Sequence, residues 1–166
     1  MKNKWFLSIL TAFIVLVSCR KDESVIPVID GMTRIDYTIN NPLEMAHLEF
    51  EFNNVHNLSN HTLFSIELIA NENSNSLSLL IMLEDRNGHR NDIDPFMIAE
   101  DKVISDGTLH TYDFDVNKHL ASTTSSTNEI TLNRISKVLI YINAGLTGKV
   151  AEGFFWLDNV QFRTDS

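Results

Sequence analysis

Apolar and polar side chains alternate one for one in run after run of this chain, a period that suits strands and excludes amphipathic helices. Leu48-Glu49-Phe50-Glu51-Phe52 puts apolar side chains on one face and acids on the other. Phe64-Ser65-Ile66-Glu67-Leu68 repeats the pattern, as do Tyr112, Phe114 and Val116 against Thr111, Asp113 and Asp115. Leu77, Leu79, Ile81 and Leu83 share a face opposite Ser78, Leu80, Met82 and Glu84. Val138 to Ile142 is apolar on both faces, as a central strand would be, and Phe154 to Phe162 closes the chain. Thr33 to Ile39, Phe96 to Ala99 and Lys102 to Ile104 are weaker strand candidates, and Ile130 to Ile135 suits a brief helical turn. Asn40-Asn41-Pro42, Asn71 to Asn75, Asn87-Gly88, Asp106-Gly107 and Gly145 to Gly148 supply turns between the runs. The pattern predicts an all-β fold, a single antiparallel β-sandwich.

The start of the chain has a different character. Lys2 and Lys4 precede an apolar stretch from Phe6 to Val17, shorter than the roughly 20 residues of a membrane span. A basic start, a short apolar core and a small residue at the end describe a secretory signal. Its Leu16-Val17-Ser18-Cys19 ending resembles a bacterial lipoprotein lipobox, which implies lipidation of Cys19, the only cysteine. A plain signal peptide or an N-terminal anchor with a chance cysteine is the alternative. The organisation expected is residues 1–18 as signal peptide, 19–28 as lipidated cysteine and tether, and 29–163 as the sandwich. The expected location is the bacterial cell envelope, lipid-anchored in the outer membrane.

Composition narrows the chemistry. The formal charge is −9 over 166 residues, and removal of Lys2 and Lys4 with the leader makes it more negative. Such a chain has no basic excess to neutralise phosphates, so nucleic acid is not an expected partner. No zinc-protease His-Glu-x-x-His, Gly-x-Ser-x-Gly elbow or phosphate-binding glycine loop occurs. His47, His56, His61, His89, His110 and His119 are scattered without ligand spacing and suit surface positions. Asp85-Arg86-Asn87-Gly88 opens like a calcium loop, but Phe96 stands where an EF-hand needs Glu, so a hairpin turn on Asn87-Gly88 is expected. Glu49 and Glu51 share a strand face roughly 6.5–7 Å apart. That separation suits a glycosidase carboxylate pair, but the Glu-x-Asp-x-x-Glu pattern of sandwich-fold glucanases does not occur, and a solvated acidic face is the better reading.

From Leu77 to Phe162 the chain resembles the carbohydrate-binding-module jelly roll, the galactose-binding-like sandwich of families 4, 11 and 22. Leu79 to Gly88 is similar to that family's strand and Asp-x-x-Gly turn. Asp106 to Asp115 is similar to its Gly-x-Trp-His-Thr-Tyr-x-Phe-Asp stretch, with Leu109 at the tryptophan position. Ile135 to Asn143 and Phe155-Trp156-Leu157-Asp158-Asn159-Val160-Gln161-Phe162 are similar to its closing strands. The resemblance implies glycan as ligand and a structural calcium ion with Asp158 as one ligand. Asp30 and Asp36 are candidate partners for that ion.

Parity within the strands selects candidate sugar contacts. If Ile140 and Ile142 face inward, Tyr141 faces outward; Met82 and Glu84 oppose Ile81 and Leu83. If Leu157, Val160 and Phe162 face the core around a bulge at Asp158-Asn159, Trp156 also faces out. A face carrying Met82, Glu84, Tyr141 and Trp156 would bind sugar by stacking and hydrogen bonding; a second apolar layer under loops is the alternative. The expectation is a non-catalytic glycan-binding lipoprotein. A structural or protein-interaction envelope lipoprotein is the alternative, and a small hydrolase using Glu49 and Glu51 the third reading.

Overall fold

The structure, a computed structural model, describes residues 25–29, 31–42, 46–143 and 149–164. Cys19, the leader, Asp30 and the Gly145 to Gly148 turn lie outside the described residues. The strands are β1 (Val25–Ile29), β2 (Thr33–Ile39), β3 (Ala46–His56), β4 (Leu63–Ile69), β5 (Leu79–Asp85), β6 (Phe96–Ile98), β7 (Leu109–Asp115), β8 (Ile135–Ile142) and β9 (Ala151–Arg163). One sheet runs β1-β9-β4-β7, with β2 also paired to β9; the other runs β3-β8-β5-β6. Every pairing is antiparallel. The protein is therefore the antiparallel β-sandwich that the alternation predicts, with the jelly-roll form that the resemblance implies.

The inward faces form one core. Phe64 of β4 stacks on Phe96 of β6 with ring centroids 4.9 Å apart, and Phe162 of β9, its cross-strand partner, lies 4.9 Å from Phe64. These rings join the two sheets, and all three are fully buried. Each such side chain contributes about 1.5–3 kcal/mol by leaving water. β8, apolar on both faces, is an interior strand between β3 and β5.

The closing strand carries the expected bulge. Ser65 pairs with Gln161 and Glu67 with Asp158, so β9 has one extra residue there. Asn159 takes φ 42°, a left-handed conformation that asparagine tolerates. Leu157, Val160 and Phe162 consequently all reach the core. Gly153 has a separate role. A Cβ there would sit 1.8 Å from the Asn73 carbonyl oxygen, so only glycine lets the 71–75 loop lie against β9. Ser74 then donates to the Phe154 carbonyl at 2.6 Å, and the Tyr37 hydroxyl donates to the Asn75 carbonyl at 2.8 Å.

Three details depart from expectation. Lys102 to Ile104 is not a strand: Glu100–Lys102 forms a 3₁₀ turn. The Tyr112 hydroxyl straps this segment, donating to the Lys102 carbonyl and accepting from the Ile104 amide. Val25 to Pro27, assigned to the tether, pairs with β9 as part of β1; an edge strand tolerates Pro27. His61 is buried rather than at the surface, at 6% exposure. The helical turn expected at Ile130 to Ile135 appears as a 3₁₀ turn at Leu132–Arg134.

Candidate functional site

The four-stranded sheet presents its outer face as three rows crossing the strands. The first row is His47, Tyr141, Leu80 and Met97, each the direct cross-strand partner of the next. The second is Glu49, Leu139 and Met82. The third is Glu51, Lys137 and Glu84, with Arg90 bridged to Glu84. Side chains in strands stand on alternate faces, so these rows follow directly from Ile81, Leu83, Val138, Ile140 and Ile142 facing the core.

A groove of about 340 Å³ opens over the first two rows, lined by Leu80, Met82, Tyr141, Gly88, Arg90, Asp92 and Thr124. Its floor is apolar and aromatic. His47 extends it, with its ring stacked on Tyr141 at 5.3 Å between centroids. The rim is polar and comes from two loops. Asn91 anchors the first: its buried side chain accepts from the Leu83 amide at 2.7 Å and donates to the His119 carbonyl at 2.9 Å. The flanking Arg90 and Asp92 are thereby left on the groove side. Asp92 fastens the second loop, accepting from the Thr123 amide at 2.7 Å and from the Thr123 hydroxyl. Burial works against the Asp92 charge, yet these two bonds hold its carboxyl below the usual range.

Charges of the second and third rows are paired with one another. Arg90 Nε donates to Glu84 at 2.6 Å, which raises the guanidinium above its ordinary pKa. Lys137 donates to Glu49 and lies 4.0 Å from Glu84. The bond to Lys137 holds the Glu49 carboxyl below its usual value. A glycosidase general acid requires the opposite shift, so Glu49 does not suit the acid role of such a pair.

Three of the four candidate residues read from the sequence therefore share one face: Tyr141 and Met82 line the groove, and Glu84 borders it through Arg90. Trp156 does not join them. It lies on β9 in the other sheet, paired with Arg34 of β2 and Ile69 of β4, and points away from the core on the far side of the molecule. Alternation along β9 assigns Trp156 to an outer face but does not decide which of the two outer faces it is. Leu80, Gly88, Arg90, Asp92 and Thr124 complete the groove, and His47 stacks on Tyr141 beside it. Leu80 carries the same parity signal as Met82. The loop residues Arg90, Asp92 and Thr124 carry no periodic signal at all.

Asp158 sits at the β9 bulge, where its carboxylate accepts from the Asn159 amide at 2.9 Å. The Asn159 side chain donates to Glu67 at 2.7 Å, which occupies the second nearby carboxylate. Asp36 pairs with Phe154, about 13 Å along β9 from Asp158, and forks with Arg34. Calcium takes about six to eight oxygen ligands. Among the described residues no group of three or more His, Cys, Asp or Glu side chains converges on one point. Asp158 thus caps the backbone at the bulge, and Asp30, a candidate partner for the ion, lies outside the described residues.

No family model matches the chain, and no curated protein matches it in sequence. Solved structures do resemble it. One is the family 11 carbohydrate-binding module of Clostridium thermocellum, in complex with a β-1,3-1,4-mixed-linked tetrasaccharide. It matches with a TM-score of 0.53 at 10% identity, over 93% of this chain and 94% of that one. An agarase matches with a TM-score of 0.54 at 13% identity, over 86% of this chain and 25% of that one. An exo-β-agarase matches with a TM-score of 0.53 at 8% identity, over 89% of this chain and 24% of that one. This chain spans about a quarter of either agarase and nearly the whole of the binding module. The fold of this protein is the carbohydrate-binding-module type of antiparallel β-sandwich.

Proposed function

We propose that the protein is a non-catalytic, lipid-anchored domain of the bacterial envelope that binds glycan on the outer face of its four-stranded sheet. The observation that carries this reading is the groove floored by Tyr141, Leu80 and Met82 and rimmed by Arg90, Asp92 and Thr124. Apolar sugar faces stack on aromatic and aliphatic surfaces, and hydroxyls need donors and acceptors around the edge. Both are present, at a place where the side chains are not consumed by core packing. The family 11 module, whose fold this chain shares, was determined in complex with a tetrasaccharide, and this supports glycan as the ligand class. The lipoprotein part rests on the Leu16-Val17-Ser18-Cys19 sequence, and outer-membrane placement is the setting that suits a glycan-capturing domain.

A glycan-array screen of the full-length chain in detergent, followed by titration of the best glycan, tests the reading. Tyr141→Ala removes the central aromatic of the floor and should weaken binding roughly tenfold, equivalent to about 1.4 kcal/mol. Undiminished binding by a folded Tyr141→Ala chain would remove the groove as the site. An array with no glycan bound would favour the protein-interaction reading.

A further inference from the structure

The five-stranded sheet also carries an apolar row on its outer face, and no part of the groove explains it. Trp156 of β9 pairs with Ile69 of β4, and Ile69 pairs with Leu109 of β7. All three have the outward parity, since Phe155, Leu157 and Leu68 on either side are buried in the core. Leu109 is 46% exposed, and Trp156 and Ile69 are partly exposed. Arg34 continues the row on β2 beyond Trp156. The row crosses four strands, about 14 Å at ordinary strand spacing.

The neighbours of the row restrict what it accepts. On one side Arg34 covers the ring of Phe154 at 4.0 Å and forks with Asp36, which leaves the partly exposed Trp156 as the aromatic of the row. On the other side stand Glu67, Asp158 and Thr111, direct partners across the strands. The apolar surface is therefore a strip one side chain wide between polar borders. A stable protein interface needs about 800 Å² per partner with an apolar centre, which such a strip does not supply. A single extended glycan chain matches its width, with a sugar face on the indole and hydroxyls towards the carboxylates and Thr111. The row on the opposite sheet, His47, Tyr141, Leu80 and Met97, has the same form and crosses the same number of strands.

We infer that Trp156, Ile69 and Leu109 form a second glycan platform, so that one domain holds two glycan chains, one on each outer face. The inference rests on the glycan-binding reading for its ligand class but uses a different sheet and different residues. Its consequence is cross-linking: a domain with two opposed sites gathers neighbouring polysaccharide chains, which a single groove cannot do.

The chain has two tryptophans, Trp5 and Trp156, so full-length protein in detergent carrying Trp5→Phe reports on Trp156 alone. The probes are the β-1,3-1,4-mixed-linked tetrasaccharide and an agarose oligosaccharide. Titration should give two sites per chain, and Trp156 emission should shift to the blue on addition of the bound probe. The shift should persist in Tyr141→Ala, with one site left. Trp156→Ala, and Leu109→Asn as a milder variant at an exposed position, should remove the other site and abolish precipitation of the corresponding polysaccharide. One site per chain, lost in Tyr141→Ala and unaffected by Trp156→Ala and Leu109→Asn, would overturn the second platform and leave the groove standing. Loss of all binding in Trp156→Ala with none in Tyr141→Ala would instead overturn the groove reading and, with it, bivalency. Binding of neither probe would overturn both.

Discussion

Asp85 should be among the most sensitive positions in the domain, because it is a fully buried carboxylate that closes the turn beside the groove. Its side chain accepts from the Asn87 amide at 2.8 Å, the His89 amide at 3.1 Å and the Thr131 amide at 3.4 Å. It also pairs with His89 Nδ1 at 3.1 Å. Three backbone donors from two segments thus converge on one side chain at the end of β5. Asp85→Ala orphans them, and each buried unsatisfied donor costs about 1–3 kcal/mol. Asn87 is exposed, so its amide recovers a water bond, and the net loss should be about 3 kcal/mol. For a domain of this length that lowers the melting temperature by roughly 10 °C. Asp85→Asn keeps the volume and one acceptor, so about half that loss is expected.

The pH dependence has a definite sign. Burial alone would raise the Asp85 pKa, but the amides of His89 and Asn87 and the His89 ring bring it below the ordinary value. A carboxyl with a lower pKa folded than unfolded contributes stability in full above the unfolded value, about 3.9. That contribution is lost as pH falls through the folded value. The gap between wild type and Asp85→Asn should therefore stay constant above about pH 5 and narrow below pH 4. Thermal and urea unfolding followed by circular dichroism, across pH 3 to 7, gives both quantities. An Asp85→Ala chain that melts within about 2 °C of wild type would refute the convergence of donors on this side chain.

Gly153→Ala should force the 71–75 loop off β9, because the new methyl meets the Asn73 carbonyl oxygen at 1.8 Å. The expected loss is about 2–3 kcal/mol, together with faster proteolysis within that loop; unchanged melting and cleavage would show that the loop does not rest on the strand. Cys19→Ser should leave an uncleaved precursor or release the protein from membranes in cell fractionation. Normal processing and retention of that variant would end the lipoprotein reading.

The strands were legible because burial on one face leaves a period of two in the sequence, and most of them carry it plainly. Even the irregularity of β9 was written there: Leu157 and Val160 are three apart, an odd spacing that two core residues of one strand can have only if a bulge intervenes. β1 was hidden because Val25 to Ile29 is short, contains Pro27 and follows directly on the polar stretch after the leader. Lys102 to Ile104 misled for the converse reason. Its apolar residues suit a strand, but the Tyr112 hydroxyl takes up the Lys102 carbonyl and the Ile104 amide that a ladder would need.

The site was legible only as far as parity reaches. Alternation within a strand decides whether a side chain faces the core or the solvent, and it did so for Met82, Glu84, Tyr141 and Trp156 alike. A sandwich has two solvent faces, however, and which of them a strand serves depends on pairing between segments far apart in the chain. Tyr141 and Leu80 are 61 residues apart and meet because β8 pairs with β5. Trp156, only 15 residues beyond Tyr141, lies across the core because the chain changes sheets between β8 and β9. A consecutive-strand crossing of this kind is what a jelly roll requires, since its two layers are built by strands that pass from one sheet to the other. The crossing that separates Trp156 from the groove is also what gives the domain an aromatic on each outer face.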